Sequence, residues 1–351
     1  MKNNRVLVGM SGGVDSSACA LLLQRAGYEV FGSTLDLCDS AAAGSIKDAK
    51  AVADQLGVPF SAHTYREAFE SCVMQHFVDS YQCGRTPNPC IECNRNVKFE
   101  KMLEVADQLD CHYIATGHYA RVAYDESRKR WILKKGKNLA KDQSYMLYRL
   151  TQQQLSRTLM PLGEMASKDE IRTIAKDAGL PTAQKKDSQD ICFIPDGDYV
   201  RFLQTFGKVE LKPGNFVDQN GNILGQHKGL PCYTTGQRKG LGIGGSAYPL
   251  YVLKKDAQNN TVIVGPEEAL YTRRIRMEQV NWIAFAQPER EIPCTAKIRY
   301  SHGESSATVY PLENGTAEVL FDQPQRAATA GQSVVLYDGD LVLGGGVICE
   351  V

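Results

Sequence analysis

The first half of the chain alternates short apolar runs with longer segments of helical periodicity. The apolar runs, which predict strands, lie at residues 5–10, 28–35, 58–64 and 111–120. The segments with helical spacing lie at residues 16–27, 45–57, 65–81 and 96–110. Strands that alternate with helices are typical of βαβ units, so the pattern predicts an α/β domain with a doubly wound parallel sheet over residues 1–208. Ligands of such sheets bind at the carboxyl ends of the strands.

The pattern then changes. Residues 121–136 predict a hairpin, which belongs to an insert around residues 120–165. A further helix is predicted to begin after Ser167, a typical N-cap residue that has Glu170 three positions later. It should end at Gly179.

The last third of the chain has the pattern of short strands. From about Leu211 the helical period disappears, and Asn-Gly pairs at 220–221 and 314–315 mark two hairpin turns. We therefore predict a small β-rich domain over residues 209–270 and a C-terminal β-barrel over residues 271–351.

Composition places the chain among ordinary globular proteins. Of its 351 residues, 43% are apolar and 23% are charged, as in ordinary globular proteins. A chain of this length is long enough for two or three domains, each with its own core. No apolar stretch approaches the ~18 residues of a membrane-spanning helix, and Met1–Asn4 has no signal-peptide character. We therefore expect a cytoplasmic protein, and we expect it to be a monomer. Its 11 cysteines should then be mostly thiols rather than a disulfide framework.

Basic residues are clustered although the total charge is balanced, with 40 basic and 40 acidic residues. A cluster of lysines and arginines is more often a solvated face than a binding site, so no single cluster predicts a partner. Together they favour the hypothesis of a shared nucleic-acid surface. The clusters are Arg128–Arg130 with Lys134, Lys135, Lys137 and Lys141; Lys185–Lys186; Arg238–Lys239; and Arg273, Arg274 and Arg276.

A glycine-rich turn joins the first predicted strand to the first predicted helix. Gly12 and Gly13 allow backbone N–H groups to turn inward, and the helix N-terminus adds a positive dipole, so the turn predicts an anion site. No lysine follows Gly13, which excludes a Walker A loop, and the spacing of a dinucleotide-binding loop is absent. The hydroxyls of Ser11 and Ser16 are suited to bond a phosphate, and Asp15 indicates a bridging cation such as Mg²⁺.

This turn resembles the SGGxDS loop of the PP-loop ATP pyrophosphatases, which residues 11–16 match between a strand and a helix. Members of that superfamily break ATP between its α and β phosphates, adenylate a carbonyl-type oxygen and release pyrophosphate. The resemblance implies that the chain binds ATP with Mg²⁺.

Two cysteines, Cys90 and Cys93, form a Cys-x-x-Cys pair between a Pro-Asn-Pro turn and a helical run. A single pair without suitably spaced histidines disfavours a structural zinc site, and its position after the proline turn disfavours a thioredoxin-like site. A thiolate close to Lys98, Arg95 and a helix N-terminus is expected to have a lowered pKa and to be a good nucleophile. Cys192 is a further cysteine in a polar, loop-like segment. The remaining eight, Cys38 among them, are interpreted as small buried apolar residues.

Nearly from end to end, the chain resembles the tRNA-specific 2-thiouridylase family. The segments that carry the resemblance are GMSGGVDSS, GRTPNPCIECNRNVKF, ATGHYAR, KDQSYMLY, DSQDICFIP, TTGQRKGLGIGG, KIRYSHG, FDQPQRAATAGQ and LGGGVI. Other PP-loop enzymes share only the first of these. The resemblance implies a sulfurtransferase that uses ATP to adenylate the C2 oxygen of wobble uridine 34 in the tRNAs for Lys, Glu and Gln. Sulfur then replaces that oxygen, which yields 2-thiouridine, AMP and pyrophosphate.

The resemblance also implies roles for individual residues. ATP binding is implied for Gly9, Met10, Ser11, Gly12, Gly13, Val14, Asp15, Ser16, Leu35 and Gly117. Cys93 matches the nucleophile and Cys192 the carrier of persulfide sulfur. The turn that meets the target base is matched by Asn88, Pro89 and Cys90. Contacts with tRNA are implied for His118, Lys141, Asp142, Gln143, Arg299, Tyr300 and Gln332.

Two positions depart from the family pattern. Ala330 stands where the family usually has proline, and Cys90 stands where many members have an aspartate that is thought to act as an acid or base. The Cys-x-x-Cys variant resembles sulfur-transfer enzymes with a 4Fe–4S cluster, for which Cys90, Cys93 and Cys192 would supply three ligands. Both a persulfide route and a cluster route therefore stay open, and Cys90 leads us to favour the cluster. The sulfur donor would be a protein or inorganic sulfide.

Two other interpretations remain. Another PP-loop adenylating enzyme, such as an amide synthetase or a different tRNA thiolase, would share the glycine loop, but a synthetase would not need Cys93 or Cys192. A non-catalytic metal–thiol module that binds RNA would not release pyrophosphate.

Overall fold

A five-stranded parallel sheet forms the centre of the N-terminal part. The computed structural model describes residues 3–38, 42–185, 191–245 and 248–351. Strands and helices are each numbered in chain order. The strands of this sheet are β1 (Arg5–Gly9), β2 (Glu29–Asp36), β3 (Phe60–Thr64), β4 (Tyr113–Ala115) and β7 (Thr158–Leu159). They lie in the order β3-β2-β1-β4-β7, and every pair is parallel. The predicted doubly wound α/β domain is confirmed.

Both faces of this sheet are covered, as its residue pattern requires. In β1, Leu7 packs into one apolar cluster, whereas its neighbours Val6 and Val8 pack into another. Successive side chains of a strand point to opposite faces, so β1 contributes to a core on each side of the sheet.

Helices cover the sheet and extend from it. They are α1 (Val14–Arg25), α2 (Ala42–Leu56), α3 (Arg66–Phe69), α4 (His76–Gln82), α5 (Pro89–Cys93), α6 (Phe99–Gln108), α7 (Gln152–Ser156), α8 (Lys168–Asp177) and α9 (Tyr199–Thr205). A π-helical segment at 70–75 joins α3 to α4, and another at 94–98 joins α5 to α6. The helix predicted for residues 65–81 is therefore confirmed as one continuous helical stretch.

The helix that carries the cysteine pair begins earlier than predicted. It starts at Pro89 rather than near residue 96, because Asn88 acts as its N-cap and accepts a hydrogen bond of 3.2 Å from the backbone N–H of Cys90. Proline is well suited to the first helical position, where its missing N–H costs nothing. Cys90 and Cys93 therefore lie inside the helix rather than before it. The cap predicted for α8 is confirmed, since Ser167 Oγ accepts from the Glu170 N–H at 3.1 Å.

A four-stranded sheet follows the α/β part. Its strands are β8 (Gly214–Val217), β9 (Ile223–His227), β10 (Tyr251–Asp256) and β11 (Thr261–Gly265), in the order β10-β11-β8-β9. The turn predicted at 220–221 connects β8 to β9, and Gly221 has a φ of +87° that few other residues tolerate.

The C-terminal part is a closed antiparallel barrel, as predicted. Its strands are β12 (Tyr271–Trp282), β13 (Ile292–Lys297), β14 (Ser305–Pro311), β15 (Ala317–Arg326), β16 (Ser333–Asp338) and β17 (Leu341–Glu350), and the pairing of β12 with β17 closes it. The predicted hairpin, β5 (Ala120–Asp125) with β6 (Arg130–Lys135), adds to the barrel sheet through Lys134 and Leu341. This union of a hairpin from the α/β part with the barrel was not predicted. The domain boundaries after residues 208 and 270 stay predictions.

Within the described ranges, none of the helices combines the length and the apolar character needed to span a membrane.

Candidate active site

The glycine-rich turn has the tight geometry that the sequence predicted for an anion site. Gly12 has a φ of +67°, and a Cβ at this position would lie 2.6 Å from the backbone oxygen of Ser45. Ser16 Oγ accepts a hydrogen bond of 3.1 Å from the Ser11 N–H and donates one of 3.1 Å to the Gly13 carbonyl. Only glycine fits at position 12 without moving the backbone, so the turn is fixed against α2 as well as α1.

Two residues that the sequence analysis missed hold Asp15 of this turn. The Tyr119 hydroxyl donates a hydrogen bond of 2.7 Å to Oδ1 of Asp15, and Lys168 Nζ lies 2.6 Å from both carboxylate oxygens. Tyr119 follows β4, and Lys168 is the first residue of α8. Asp15 is thus already charge-compensated by the protein, and Lys168 brings a cation to the phosphate end of the turn.

A second lysine supports the turn from the other side. Lys185 Nζ donates to the Gly12 carbonyl at 2.9 Å and forms an ion pair with Asp48 at 2.7 Å. The sequence analysis treated Lys185 only as part of a basic cluster with Lys186, which lies outside the described residues.

A cavity of about 390 Å³ opens at the carboxyl ends of β1, β2 and β4. Of the residues expected to bind ATP, those that line it are Gly9, Met10, Ser11, Asp15, Ser16, Leu35 and Gly117. Gly12, Gly13 and Val14 belong to the turn without lining the cavity. Gly117 packs against the start of α1, where a Cβ would lie 2.9 Å from the backbone carbon of Asp15. The expected nucleotide residues are therefore gathered at one place.

Two residues that line this cavity each have a buried side-chain oxygen with no hydrogen-bond partner in the described part of the chain. These are Ser33 Oγ and Asp36 Oδ1. The other carboxylate oxygen of Asp36 accepts hydrogen bonds from Arg66 at 2.9 and 2.8 Å. Mg²⁺ is usually held by one or two carboxylates together with substrate phosphates, so the donor set of this cavity fits a magnesium ion that arrives with a nucleotide.

The same cavity is lined by three cysteine thiols, which belong to Cys38, Cys93 and Cys192. None of the cysteines forms a disulfide. Cys38 follows the end of β2, Cys93 ends α5, and Cys192 comes from the segment before α9. Cys90 is exposed and does not line the cavity. The structure therefore brings Cys93 and Cys192 together with the glycine-rich turn, as the family resemblance implied, and it adds Cys38 to this group.

The prediction of a lowered pKa for the cysteine nucleophile is wrong for Cys93. Burial raises the pKa of its thiol to about 11, and the neighbouring charge of Lys98 offsets only part of this effect. The thiol packs in an apolar cluster that includes Phe69 and Phe193, in which the thiolate would lack water. It is also the fifth residue of the helical stretch that begins at Pro89 and continues into α6. It therefore lies beyond the first turn, within which the positive end of the helix dipole acts. Cys93 therefore needs a base or a change in its surroundings before it can react.

The tRNA-contact positions separate into two groups. His118 and Gln143 line the cavity, and burial lowers the pKa of His118 to about 3, so its imidazole is neutral at physiological pH. Its Nδ1 lies 2.7 Å from Thr116 Oγ1. Gln143 Oε1 accepts from the Tyr119 N–H at 3.0 Å. Both residues are therefore held by contacts within the protein at the wall of the cavity.

The remaining positions lie outside the cavity and have varied exposure. Asp142 is buried and accepts hydrogen bonds from Gly136 and Ser144, so it shapes its own turn. Arg299 donates to the Ala327 carbonyl at 2.5 Å. Of this group, the most accessible are Lys141 and Tyr300, which are exposed.

The turn before the cysteine pair is fixed to the barrel. Gln332 Nε2 donates to the Thr86 carbonyl at 2.8 Å, and the Thr86 N–H donates to the Ala330 carbonyl at 2.9 Å. Pro89 is buried, and Asn88 uses its side-chain oxygen as the cap of α5. Gln332, Asn88 and Pro89, three of the positions expected to meet tRNA or its base, thus have structural contacts in this state.

No group of three or more cysteine, histidine or acidic side chains converges as metal ligands in the residues that the structure describes. Cys90, Cys93 and Cys192 in this arrangement do not fit a 4Fe–4S cluster, although they are near enough to influence one another electrostatically.

Much of the predicted basic surface is charge-paired. Partners of its cations include Glu304 for Lys135, Glu164 for Lys137, Asp125 for Arg128, Asp340 for Lys134 and Glu318 for Arg274. Arg238 and Lys239 are exposed in the segment between β9 and β10. The positive charge available to a polyanion is therefore smaller than the number of lysines and arginines in these clusters suggests.

Comparisons with known proteins agree along the whole chain. Models described as tRNA methyl transferase HUP domain, tRNA methyl transferase PRC-barrel domain and Aminomethyltransferase beta-barrel domain match residues 4–196, 201–266 and 272–348. The chain is 48% identical to the tRNA-specific 2-thiouridylase MnmA of Acetivibrio thermocellus, over 99% of this chain and 100% of that protein. It is 50% identical to the tRNA-specific 2-thiouridylase MnmA 1 of Caldanaerobacter subterraneus subsp. tengcongensis, over 99% and 98% of the two chains.

Among solved structures, a 4-thiouridine synthetase in complex with RNA and bound ATP matches 57% of this chain and 49% of its own, with a TM-score of 0.39 and 18% identity. The full-length relatives share nearly half of their residues with this chain. The chain belongs to the tRNA-specific 2-thiouridylase MnmA family.

Proposed function

We propose that this chain is a tRNA 2-thiouridylase that adenylates the C2 oxygen of wobble uridine 34 in the tRNAs for Lys, Glu and Gln and replaces it by sulfur. One observation carries the proposal: a single cavity is lined by the nucleotide turn at Ser11–Ser16 and by the thiols of Cys93 and Cys192. An activating nucleotide and a sulfur carrier that share one cavity suit a reaction in which both act on one carbon. An amide synthetase has no use for the thiols.

Residues of the turn are suited to the adenylation step. The N–H groups at the start of α1 and the hydroxyls of Ser11 and Ser16 can hold phosphate oxygens. Lys168, beside Asp15, supplies positive charge where pyrophosphate would leave. Asp36, which lines the cavity, would hold magnesium together with phosphate, and the ion would add charge stabilisation when bound. The uracil oxygen attacks the α phosphorus, AMP becomes attached to that oxygen, and pyrophosphate departs.

The thiols are suited to the sulfur step. The outer sulfur of a persulfide on Cys192 attacks C2, and AMP leaves with the former uracil oxygen. Cys93 then attacks the Cys192 sulfur, which releases the 2-thiouridine and closes a Cys93–Cys192 disulfide. An external thiol must reduce that disulfide before the next turnover. The raised pKa of Cys93 keeps this thiol protonated until the base is in place, which protects the persulfide from early attack.

We also propose that tRNA binds across the α/β part, its hairpin β5–β6 and the barrel. The target base must leave its stack to reach the cavity. Exposed Lys141, Tyr300, Arg238 and Lys239 are available on the outside for phosphate and base contacts. The predicted boundaries after residues 208 and 270 divide this surface into three parts. A persulfide-bearing protein would transfer its outer sulfur to the Cys192 thiol and leave with a free thiol. Alternatively, inorganic sulfide would attack Cys192 Sγ of the Cys93–Cys192 disulfide, which forms the persulfide and releases the Cys93 thiol.

Reaction of the purified chain with ATP, unmodified tRNA, inorganic tetrasulfide as the donor of persulfide sulfur and a thiol reductant tests the proposal. We expect 2-thiouridine, detected by mass spectrometry of digested tRNA, together with stoichiometric AMP and pyrophosphate. Replacement of both Cys93 and Cys192 by serine should abolish thiolation. Full ATP-dependent turnover in that double variant would instead establish an amide synthetase or another adenylating enzyme.

A further inference from the structure

Cys38 stands next to the expected sulfur carrier in the cavity. Its thiol donates a hydrogen bond of 3.9 Å to the Cys192 backbone oxygen, and the two side chains are near enough to interact. It directly follows Leu37, which comes after the last residue of β2, and both residues line the cavity. Sequence pattern alone gives Cys38 no role, because β2 and residue 192 meet only in the folded chain.

The surroundings of Cys38 differ from those of an ordinary buried cysteine. It is half-buried and shares the cavity with Cys93, Cys192 and the nucleotide turn. An apolar cysteine in a core would be fully covered, as Cys19 is in α1. Cys38 is thus placed where a thiol can react with a group carried on Cys192.

We propose that Cys38 is a third sulfur-transfer thiol, which accepts the outer sulfur of a Cys192 persulfide. Cys38 attacks the outer sulfur, the bond between that sulfur and Cys192 Sγ breaks, and a new bond to Cys38 Sγ forms. The proton of the Cys38 thiol passes to the released Cys192 thiolate, so the exchange needs no oxidant or reductant. This inference rests on the proposed function, since it assigns a role in the same sulfur delivery.

The exchange would keep delivered sulfur inside the cavity. A persulfide on exposed Cys192 is accessible to thiols in solution, whereas Cys38 is less exposed. Sulfur that exchanges between Cys38 and Cys192 can be carried by either thiol, and both residues line the cavity next to the glycine-rich turn. Delivery can then be completed from either of them once the base is adenylated.

Mapping of persulfides on the full chain tests the proposal. The purified protein is incubated with inorganic tetrasulfide, alkylated, digested and analysed by mass spectrometry. We expect persulfide on both Cys192 and Cys38 of the wild type. In the Cys192→Ser variant, persulfide on Cys38 should fall by at least about tenfold, because the exchange supplies it. Cys83, an exposed cysteine outside the cavity, reports direct labelling by tetrasulfide.

Two results would overturn the proposal. One is the absence of persulfide on Cys38, and the other is equal labelling of Cys38 with and without Cys192. A single turnover adds a functional readout: protein loaded with sulfur is mixed with ATP and tRNA. The Cys38→Ser variant should convert a smaller share of its bound sulfur into 2-thiouridine than the matched Cys83→Ser control.

The outcomes separate this inference from the proposed function. Equal yields from Cys38→Ser and Cys83→Ser would refute the role of Cys38 and leave thiolation intact. Exchange between Cys192 and Cys38 without any 2-thiouridine in the wild type would refute the proposed function instead. The thermal unfolding of both variants is measured as well. A lowered unfolding temperature would show that a low yield of 2-thiouridine comes from misfolding of the protein.

Discussion

Gln332 of the barrel donates a hydrogen bond of 2.8 Å to the backbone carbonyl of Thr86, close before the helix that carries Cys93. Arg85 adds an ion pair of 2.6 Å to Glu278 of β12. The position of α5 therefore depends on the barrel as well as on the α/β part. A movement of the barrel on an RNA surface would be transmitted to the thiols through these contacts.

Gly331 lies against Thr86 in this contact, and its replacement should displace the cysteine segment. Its φ is +91°, and a Cβ there would lie 2.8 Å from the Thr86 nitrogen. We expect Gly331→Ala to lower the free energy of unfolding by about 1–3 kcal/mol because the backbone is strained and the segment at Thr86 is pushed away. Chemical denaturation measures the change, and a thiolation assay should show a loss of rate.

Gly303→Ala is the matched control for this substitution. A Cβ at Gly303 has no atom within 4 Å, and its φ lies outside the left-handed region. Its unfolding free energy and thiolation rate should equal those of the wild type. Equal stability of Gly331→Ala and Gly303→Ala would show that the segment tolerates displacement from the barrel.

Lys168 is expected to act in the nucleotide step. Its ammonium lies 2.6 Å from Asp15, and removal of the charge leaves this carboxylate at the glycine-rich turn without the cation that compensates it. We expect Lys168→Met to slow tRNA-dependent pyrophosphate release by at least about tenfold, since one preorganised cation at a developing charge is lost. A coupled pyrophosphate assay over a range of ATP concentrations gives the change in kcat and KM.

Lys176→Met provides the comparison on the same helix. Lys176 is exposed in the last turn of α8, away from the nucleotide turn. Its pyrophosphate release should match that of the wild type. A wild-type rate in Lys168→Met would mean that this ion pair only supports the fold of the turn.

The raised pKa of Cys93 makes its reactivity depend on pH in a defined direction. A thiol with a pKa of about 11 is protonated at neutral pH, and at pH 8 only about one molecule in a thousand carries the thiolate. Alkylation of Cys93 by iodoacetamide should therefore be slow at pH 8 and rise by about tenfold per pH unit until pH 11. Peptide mass spectrometry gives the rate for this one residue.

Lys98 supplies the charge that opposes the effect of burial on Cys93. Lys98→Met should move the alkylation profile to still higher pH, whereas Lys101→Met should not, because Lys101 is paired with Glu104. An alkylation midpoint near 8.5, that of an exposed thiol, would show that Cys93 is more accessible to water in solution than in this structure.

Local pattern was sufficient for most of the fold and for part of the site. The spacing of apolar residues predicted the parallel strands and the barrel hairpins, because periods of 2 and 3.6 reflect which face is buried. The two-residue β7 was missed because so short a strand has no period. The start of α5 had a readable signal, since Asn88 followed by Pro89 is typical of a helix N-terminus.

Other features of the site depend on tertiary contacts that no local pattern contains. Lys168 reaches Asp15 across 153 positions of sequence, and Cys38 reaches Cys192 across 154. The charge of Lys98 was visible in the sequence, but the burial that outweighs it comes from residues as distant as Phe193. The direction of the pKa shift of Cys93 was therefore predicted wrongly, because the burial that raises this pKa comes from tertiary contacts.

Cys90 is the residue that decides between a persulfide route and a cluster route. It is exposed and does not line the cavity, unlike Cys93 and Cys192. We therefore expect Cys90→Ala to retain thiolation within about twofold, as for a surface substitution away from the reacting groups. The assay is run anaerobically after incubation of the protein with iron and sulfide, and bound iron is measured on the same samples.

Cys192→Ala is the control for loss of thiolation, because both routes require that thiol. Iron content should be the same in the wild type and in Cys90→Ala if no cluster uses this cysteine. About four iron atoms per wild-type chain, lost together with thiolation in Cys90→Ala, would establish the cluster and contradict the persulfide route. Such a result would also require the three thiols to move closer together than they lie in this structure, because the described residues form no ligand group of that size.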